Sequence, residues 1–373
     1  MGKVLFVSHT TNFIKFNLPF MGWLEKEGME VHYASAEEEP FPEGACARHF
    51  QLPFRRSPYS LDNLKACRGL KALMEREHYD LVHCHTPVGG VMARLAARRS
   101  RKLGAKVIYT AHGFHFFKGA PLQNWLLYYP VEKALSRCTD LLVTINGEDE
   151  ARARAHFHCP VVKLDGVGVD LTRFRPPRAG EREALRRQHG LSPEDFVMIY
   201  AGELNANKNQ TLLIEAMAKL DLPHARLLLA GQGDREDFYR ARIEALGLTG
   251  KVELLGYRKD MPELFRMADL AVASSIREGL GVNVIEAMAS GLAAVVTDNR
   301  GHREVVKPGE NGLLCPLGDG DAFADAVLRL AKDGALRQAM GRRALAMSRR
   351  YDLAIAVERM GQLYREVCPE LWR

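Results

Sequence analysis

No Cys-x-x-Cys pair occurs in this 373-residue chain, and the cysteines at 46, 67, 84, 138, 159, 315 and 368 make an odd seven. That count argues against a disulfide framework and for free thiols in a reducing, cytoplasmic setting. No charged segment followed by an apolar core opens the chain; residues 1–10 run straight into a strand pattern, so no secretory signal is expected. No run of about 18 apolar residues is present, which excludes a helical membrane span and leaves only peripheral membrane contact. The stretch Ser8–Phe13 contains no glycine, which argues against the dinucleotide fingerprint and so against a nicotinamide oxidoreductase. Short internal repeats and low-complexity segments are also lacking. What remains has ordinary globular proportions, 47% hydrophobic and 26% charged, in a length that suits two domains. The net charge of +6 is mildly basic and fits an anionic ligand or surface.

Short apolar runs alternate with helix-like stretches. In the first half, Val4–Ser8, Glu30–Ala34, Leu81–His85, Lys106–Ala111, Leu141–Ile145 and Val161–Leu164 read as strands buried on both faces, as in parallel sheets. Helical patterns over Leu61–Glu77, Val88–Leu103 and Gln123–Ser136 lie between them. Two prolines in Asp170–Pro177 mark a linker, and the theme restarts. The second set of strands is expected at Phe196–Ala201, Arg226–Ala230, Val252–Leu255, Leu270–Ala273 and Ala293–Thr297. The alternation predicts an α/β protein with two doubly wound sheets. Leu353–Tyr364 carries one apolar stripe and can pack on either domain.

Ligands of such sheets bind beyond the carboxyl ends of the strands. Three places there carry chemistry. In Glu278-Gly279-Leu280-Gly281-Val282 a glycine loop leads into a helix that continues through Glu286 to Gly291. Bare glycine backbone and free amides at a helix tip suit a diphosphate. Glu278 and Glu286, separated by seven residues, can accept hydrogen bonds from hydroxyls at opposite ends of a ligand. Lys208 follows the strand Phe196–Ala201, where a mobile ammonium can meet leaving phosphate. His112 ends the strand Lys106–Ala111 beside Gly113, with His115 close behind.

The stretch from Glu278 to Gly291 resembles the signature of retaining nucleotide-sugar glycosyltransferases of the GT-B fold, family 4 in particular. Other segments resemble the family in order and spacing: Ala201-Gly202-Glu203-Leu204 with Lys208, Leu229–Asp234 around Gly231, Leu255-Gly256-Tyr257-Arg258, Gly301–Val306 and Asn311–Leu314. His83–Pro87 and Thr110–His115 resemble the capsule and exopolysaccharide branch. The resemblance implies two Rossmann-like domains facing a central cleft: residues 1–172 on the acceptor side, with a C-terminal helix at about 352–373 able to return to it, and residues 178–351 on the donor side. It implies transfer of a hexosyl or N-acetylhexosaminyl group, with retention, from a UDP-sugar to a lipid-linked or other saccharide acceptor, with no metal or other cofactor. It further implies His112, Lys208 and Glu278 as catalytic residues and Gly202, Lys208, Gly231, Tyr257, Arg258, Glu278, Gly279, Leu280, Gly281, Val282 and Glu286 as donor contacts. Asn12, His85 and His115 fall on the acceptor side. Two departures stand out. Glu203 occupies the family's phosphate-binding arginine position, which shifts that load to Lys208 and backbone amides; Thr10–Phe13 replaces a double glycine in the first loop.

Other signals lead elsewhere. His83 and His85 share one strand face and could begin a metal site, though no further ligands stand at a fixed spacing. Asp319-Gly320-Asp321 resembles a metal-binding pair but precedes a helix, where aspartates act as caps. Arg94, Arg98, Arg99, Arg101, Lys102 and Lys106 form a basic cluster suited to anionic lipid at the inner face of the cell membrane. Without interleaved aromatics it does not suit nucleic acid. A UDP-sugar 2-epimerase of the same fold and a non-catalytic nucleotide-sugar binding protein remain as alternatives.

Overall fold

The computed structural model describes residues 2–36 and 41–372. The chain divides into two units: Met1–Gly168 with Leu353–Arg373, and Val169–Asp352. The division precedes the proline-bearing segment, because Val169 already pairs with Asp352 in an isolated bridge and donates its amide to the Tyr351 carbonyl at 2.8 Å.

The first unit holds β1 (Lys3–Val7), β2 (Glu30–Ser35), β3 (Arg48–Gln51), β4 (Leu81–His85), β5 (Lys106–Ala111), β6 (Leu141–Thr144) and β7 (Val161–Lys163). They form one parallel sheet in the order β3-β2-β1-β4-β5-β6-β7. The second unit holds β8 (Phe196–Ala201), β9 (Ala225–Ala230), β10 (Val252–Gly256), β11 (Leu270–Ala273), β12 (Ala294–Thr297) and β13 (Gly312–Cys315), again parallel, in the order β10-β9-β8-β11-β12-β13. Period-two geometry sends alternate side chains of β1 to opposite faces: Leu5 and Val7 join one buried cluster, Val4 and Phe6 the other. Helices cover both faces, which is why the strands read as continuous apolar runs. Strand order reverses beside β1 and β8. Each sheet therefore opens a crevice at its carboxyl edge, between β1 and β4 and between β8 and β11.

Two strands lie outside the expected set. β3 (Arg-His-Phe-Gln) is a polar edge strand, and β13 follows a turn with only four residues. The stretch expected as one helix from Val88 to Leu103 is two, Pro87–Ala96 and Arg98–Lys102. The helix Leu353–Val367 belongs to the first unit. Ala356, Met360, Leu363 and Tyr364 sit in the cluster that holds Val4, Phe6 and Val31, and Tyr364 Oη lies 2.7 Å from His83 Nδ1.

The expected basic surface cluster loses its first member. Arg94 is buried: its guanidinium lies 4.0 Å over the Tyr109 ring, donates to the Glu132 carboxylate at 2.8 Å and to the Gly90 carbonyl at 2.9 Å. Arg101 is forked onto Asp140 at 2.8 and 2.9 Å, and Arg99 donates to Glu75 at 3.2 Å. An arginine on the inner stripe of its helix must bring its own counter-charge, and Glu132 supplies it from a helix 38 residues away. Removing Glu132 strands a buried guanidinium. Glu132→Ala should therefore lower unfolding stability by about 3–5 kcal/mol in denaturant titration, whereas Arg99→Ala should change it by less than about 0.5 kcal/mol.

Candidate functional site

The second unit's crevice is built by the loops that follow β8 and β11. Residues 202–209 leave β8, and residues 274–281 leave β11 and lead into the helix Val282–Ala289. The two loops are sewn together. Ser274 Oγ donates to the Lys208 carbonyl at 2.8 Å, the Ile276 amide to the Asn207 carbonyl at 2.8 Å, and Asn207 Nδ2 to the Arg277 carbonyl at 3.0 Å. Across this seam Lys208 Nζ forms an ion pair with Glu278 Oε1, both side chains being partly buried. The structure thus joins two of the residues singled out from sequence, 70 positions apart, directly beside the Gly279–Val282 helix tip.

Two more of the expected donor contacts also hold that loop. Gly202 and Gly231 pack backbone to backbone: a Cβ on Gly231 would fall 1.9 Å from the Gly202 carbonyl oxygen, and its φ is +155°. A Cβ on Gly233 would fall 2.1 Å from the Leu204 carbonyl oxygen. The Leu204 amide donates to the Gln232 carbonyl at 2.9 Å. These glycines admit the loop that carries Lys208. Glu203 itself is exposed, and its carbonyl accepts from Gln210 Nε2 at 2.8 Å.

The remaining donor-side residues lie around this centre. Leu280 and Gly281 are buried, Val282 begins the helix, and Glu286 sits half-buried one turn along it. Tyr257 is 67% exposed just after the edge strand β10, and Arg258 beside it is forked onto Asp260, with Nε 2.8 Å from Oδ1. Any ligand role for Arg258 is therefore shared with that carboxylate. Sequence reasoning passed over His302, although it had marked the segment that holds it. This ring is buried beside Gly281, with Nδ1 2.7 Å from the Thr297 carbonyl oxygen and Nε2 buried without a hydrogen-bond partner. Burial lowers its pKa.

In the first unit, His112 follows β5 and meets His85 of β4, Nε2 to Nδ1 at 3.1 Å. The Phe13 edge rests on the His112 ring with centroids 4.5 Å apart. His85 is fully buried, so it supports His112 rather than facing an acceptor as its motif suggested. Asn12 is exposed in the turn after β1, and His115 stacks on Tyr128 at 4.5 Å. The two nitrogens of His83 lie 2.7 Å from Tyr364 Oη and 2.8 Å from Thr110 Oγ1, so that ring does not offer a metal pair with His85. Burial drives the pKa of His83 and of His112 down to about 3 and that of His85 well below its usual value. Asp319 caps the helix Gly320–Lys332 through the Ala322 amide at 2.9 Å. Among the described residues no group of three or more His, Cys, Asp or Glu is placed to hold a metal ion.

Two family models match. One, described as glycosyl transferases group 1, covers residues 181–347; the other, glycosyl transferase 4-like, covers residues 3–146. EpsD of Bacillus subtilis (strain 168), a protein named as a glycosyltransferase, is 47% identical over 97% of this chain and 96% of its own length. The Escherichia coli UDP-Gal:alpha-D-GlcNAc-diphosphoundecaprenol alpha-1,3-galactosyltransferase is 27% identical over 84% of this chain and 83% of its own. Among solved structures, Anabaena HepE in complex with UDP and glucose superposes with a TM-score of 0.82 at 21% identity, covering 98% of this chain and all of that one.

Two outcomes follow from this geometry. Gly231→Ala should cost at least about 2 kcal/mol in denaturant titration, because the backbone on both sides must yield. The imidazoles of His83, His85 and His112 are neutral when folded and take up protons when unfolded. Their contribution is complete above the unfolded pKa of about 6.5 and is lost as pH falls toward their lowered folded values. Melting temperature should therefore fall as pH drops from 7 to 5, and His83→Gln should flatten that slope.

Proposed function

The chain belongs to the group 1 glycosyl transferases and is a glycosyltransferase that uses a nucleotide sugar; from that premise we propose that it transfers a hexosyl or N-acetylhexosaminyl group, with retention, from a UDP-sugar to a lipid-linked saccharide in exopolysaccharide or capsule assembly. The observation that carries the reading is the Lys208–Glu278 pair set against the Val282 helix tip at the crevice of the second sheet. The UDP bound by HepE and the lipid diphosphate acceptor in the name of the Escherichia coli relative support the choice of donor and acceptor.

In the proposed reaction the bond between the sugar and the diphosphate loosens before the acceptor oxygen arrives, and negative charge gathers on the departing phosphate. Lys208 Nζ, the amides around Gly279–Val282 and the positive end of the helix Val282–Ala289 meet that charge. Glu278 accepts from donor-sugar hydroxyls and Glu286 from the ribose. Tyr257 lies on the base side. His112, held by His85 and Phe13, contacts the donor sugar, and Asn12 and His115 serve the acceptor. The acceptor proton passes to the leaving phosphate on the same face, so no protein nucleophile or metal enters. Before the donor arrives Glu278 occupies the ammonium of Lys208; the diphosphate takes its place and releases the carboxylate to the sugar.

That exchange makes the two residues separable. Lys208→Ala should lower kcat/KM for transfer by about 10²–10³ and weaken UDP binding. Glu278→Gln should impair transfer yet tighten binding of UDP itself, because the competing carboxylate is gone. Calorimetry with UDP and turnover with a panel of nucleotide sugars check both, and NMR of the product anomer checks retention. Normal turnover in both variants would defeat the assignment. Conversion of the nucleotide sugar with no acceptor present would make the protein an epimerase.

A further inference from the structure

The turn after β12 packs on the loop that carries Glu278. Asn299 caps the helix Arg300–Val305: its Oδ1 accepts from the His302 amide at 3.0 Å, and its Nδ2 donates to the Ser275 carbonyl at 2.8 Å. Ser275 lies between β11 and Glu278, so the cap fastens the turn to that loop. Gly301 brings the two together. A Cβ there would fall 2.5 Å from the Glu278 Cβ and 2.9 Å from the Glu278 carbonyl oxygen. Arg300 Nε donates to the same carbonyl at 3.3 Å. The bare backbone of a glycine lets the turn lie this close.

His302 follows Gly301 and is fully buried. One edge of its ring is engaged and the other is not. Nδ1 lies 2.7 Å from the Thr297 carbonyl oxygen and 2.9 Å from Asn299 Nδ2, an acceptor on one side and a donor on the other. Nε2 is buried with no hydrogen-bond partner. The Cδ2 beside it would lie 3.2 Å from a Cβ on Gly281, so this edge faces the glycine loop. A buried polar atom left without a partner costs free energy, and few are kept without a use. The two-sided setting of Nδ1 frees the other nitrogen. When Nδ1 donates to Thr297, Nε2 is bare; when Nδ1 accepts from Asn299, the ring proton stands on Nε2. Burial keeps the ring neutral. The ring can therefore present a donor at Nε2 without taking up charge.

Glu278 has the matching need. Its side chain is 13% exposed and is held by Lys208. Once a diphosphate takes Lys208, a carboxylate in partial burial has lost its ammonium and requires new donors. Sugar hydroxyls supply neutral ones. The charged groups that act on the His302 ring are Glu278, Lys208 and Asp298, and Asp298 is already taken by Arg303 at 2.7 Å. Glu278 and His302 Nε2 are thus neighbours that both lack a partner when the diphosphate is bound. We propose that His302 is a positioning residue: when a diphosphate occupies Lys208, His302 Nε2 donates to the Glu278 carboxylate and holds it toward the sugar. The proposal rests on the donor-site reading of Lys208 and Glu278 and adds the residue that receives the displaced carboxylate.

Two substitutions separate the edges of the ring. An asparagine amide reaches the Nδ1 position and stops short of Nε2, whereas a glutamine amide reaches the Nε2 position. His302→Asn should weaken UDP binding in calorimetry by about tenfold or more and lower kcat/KM for transfer at least as much, because a hydrogen bond to a charged group is lost. His302→Gln should keep both within about threefold. In a Glu278→Ala background the asparagine substitution should change UDP binding by less than about twofold, since the partner it acts through is gone. Greater loss in the glutamine variant than in the asparagine variant would show that the ring only pins its own turn through Nδ1 and would overturn the proposal. Equal loss in both variants, normal binding and turnover in His302→Asn, or an undiminished effect in the Glu278→Ala background would do the same. Should a variant fail to fold, the unaltered protein carrying 15N-labelled histidine decides: saturating UDP should move the His302 Nε2 resonance toward that of a protonated ring nitrogen, and an unmoved resonance overturns the proposal. Failure of the donor-site reading has a different signature, namely normal UDP binding and turnover in Lys208→Ala.

Discussion

The ion pair between Lys208 and Glu278 is the contact on which the second unit's candidate site depends. It spans the one place where the strand order of that sheet reverses, so it joins loops that no hairpin or crossover connects. Three backbone-directed hydrogen bonds run alongside it and hold the two loops in register. The pair keeps a cation and a carboxylate in partial burial without leaving either uncompensated. An anion that enters must offer Lys208 more than the carboxylate does, and a doubly charged diphosphate beside a helix tip can do so. The same interaction thus ties the two loops to each other at the helix tip.

Much of the fold was legible because the strands are short, apolar and buried on both faces. β4, β5, β8 and β11 were delimited correctly to the residue: polar or turn residues flank β4, β8 and β11, and β5 begins at Lys106 and stops before His112. β3 was not legible: an edge strand of Arg-His-Phe-Gln needs only one hydrogen-bonding neighbour and carries no apolar run. β13 opens on Gly312, which breaks its apolar run, and that glycine is there because a Cβ would lie 2.3 Å from the Ala294 carbonyl oxygen. The helix Ile14–Lys26 carries an internal Pro19, which obscures it.

Site residues were legible as motifs and illegible as contacts. The glycine loop, the lysine and the two glutamates announce themselves by type and spacing, but nothing in their order says that Lys208 and Glu278 touch. Gly231 read as a ligand contact, and its missing Cβ also gives clearance to the Gly202 carbonyl. His85 read as an acceptor residue and is a buried prop for His112. Arg94 read as surface charge because its neighbours in sequence are basic, while the partners that bury it, Tyr109 and Glu132, come from other elements. In each case the deciding partner lies too far along the chain for local pattern to reveal it.

The helix Leu353–Val367 has a temporal side. It completes the first unit's core and reaches Glu27 through Arg365 Nη2 at 2.6 Å, yet the ribosome makes it after all of the second unit. During synthesis the amino-terminal sheet must wait, with Trp23, Phe6 and the ring of His83 uncovered, while some 180 later residues emerge and close their own core. The part of the molecule that is translated first is therefore finished last. A chain released at residue 352 would present a folded second lobe and an open first one, the form in which a chaperone would meet it.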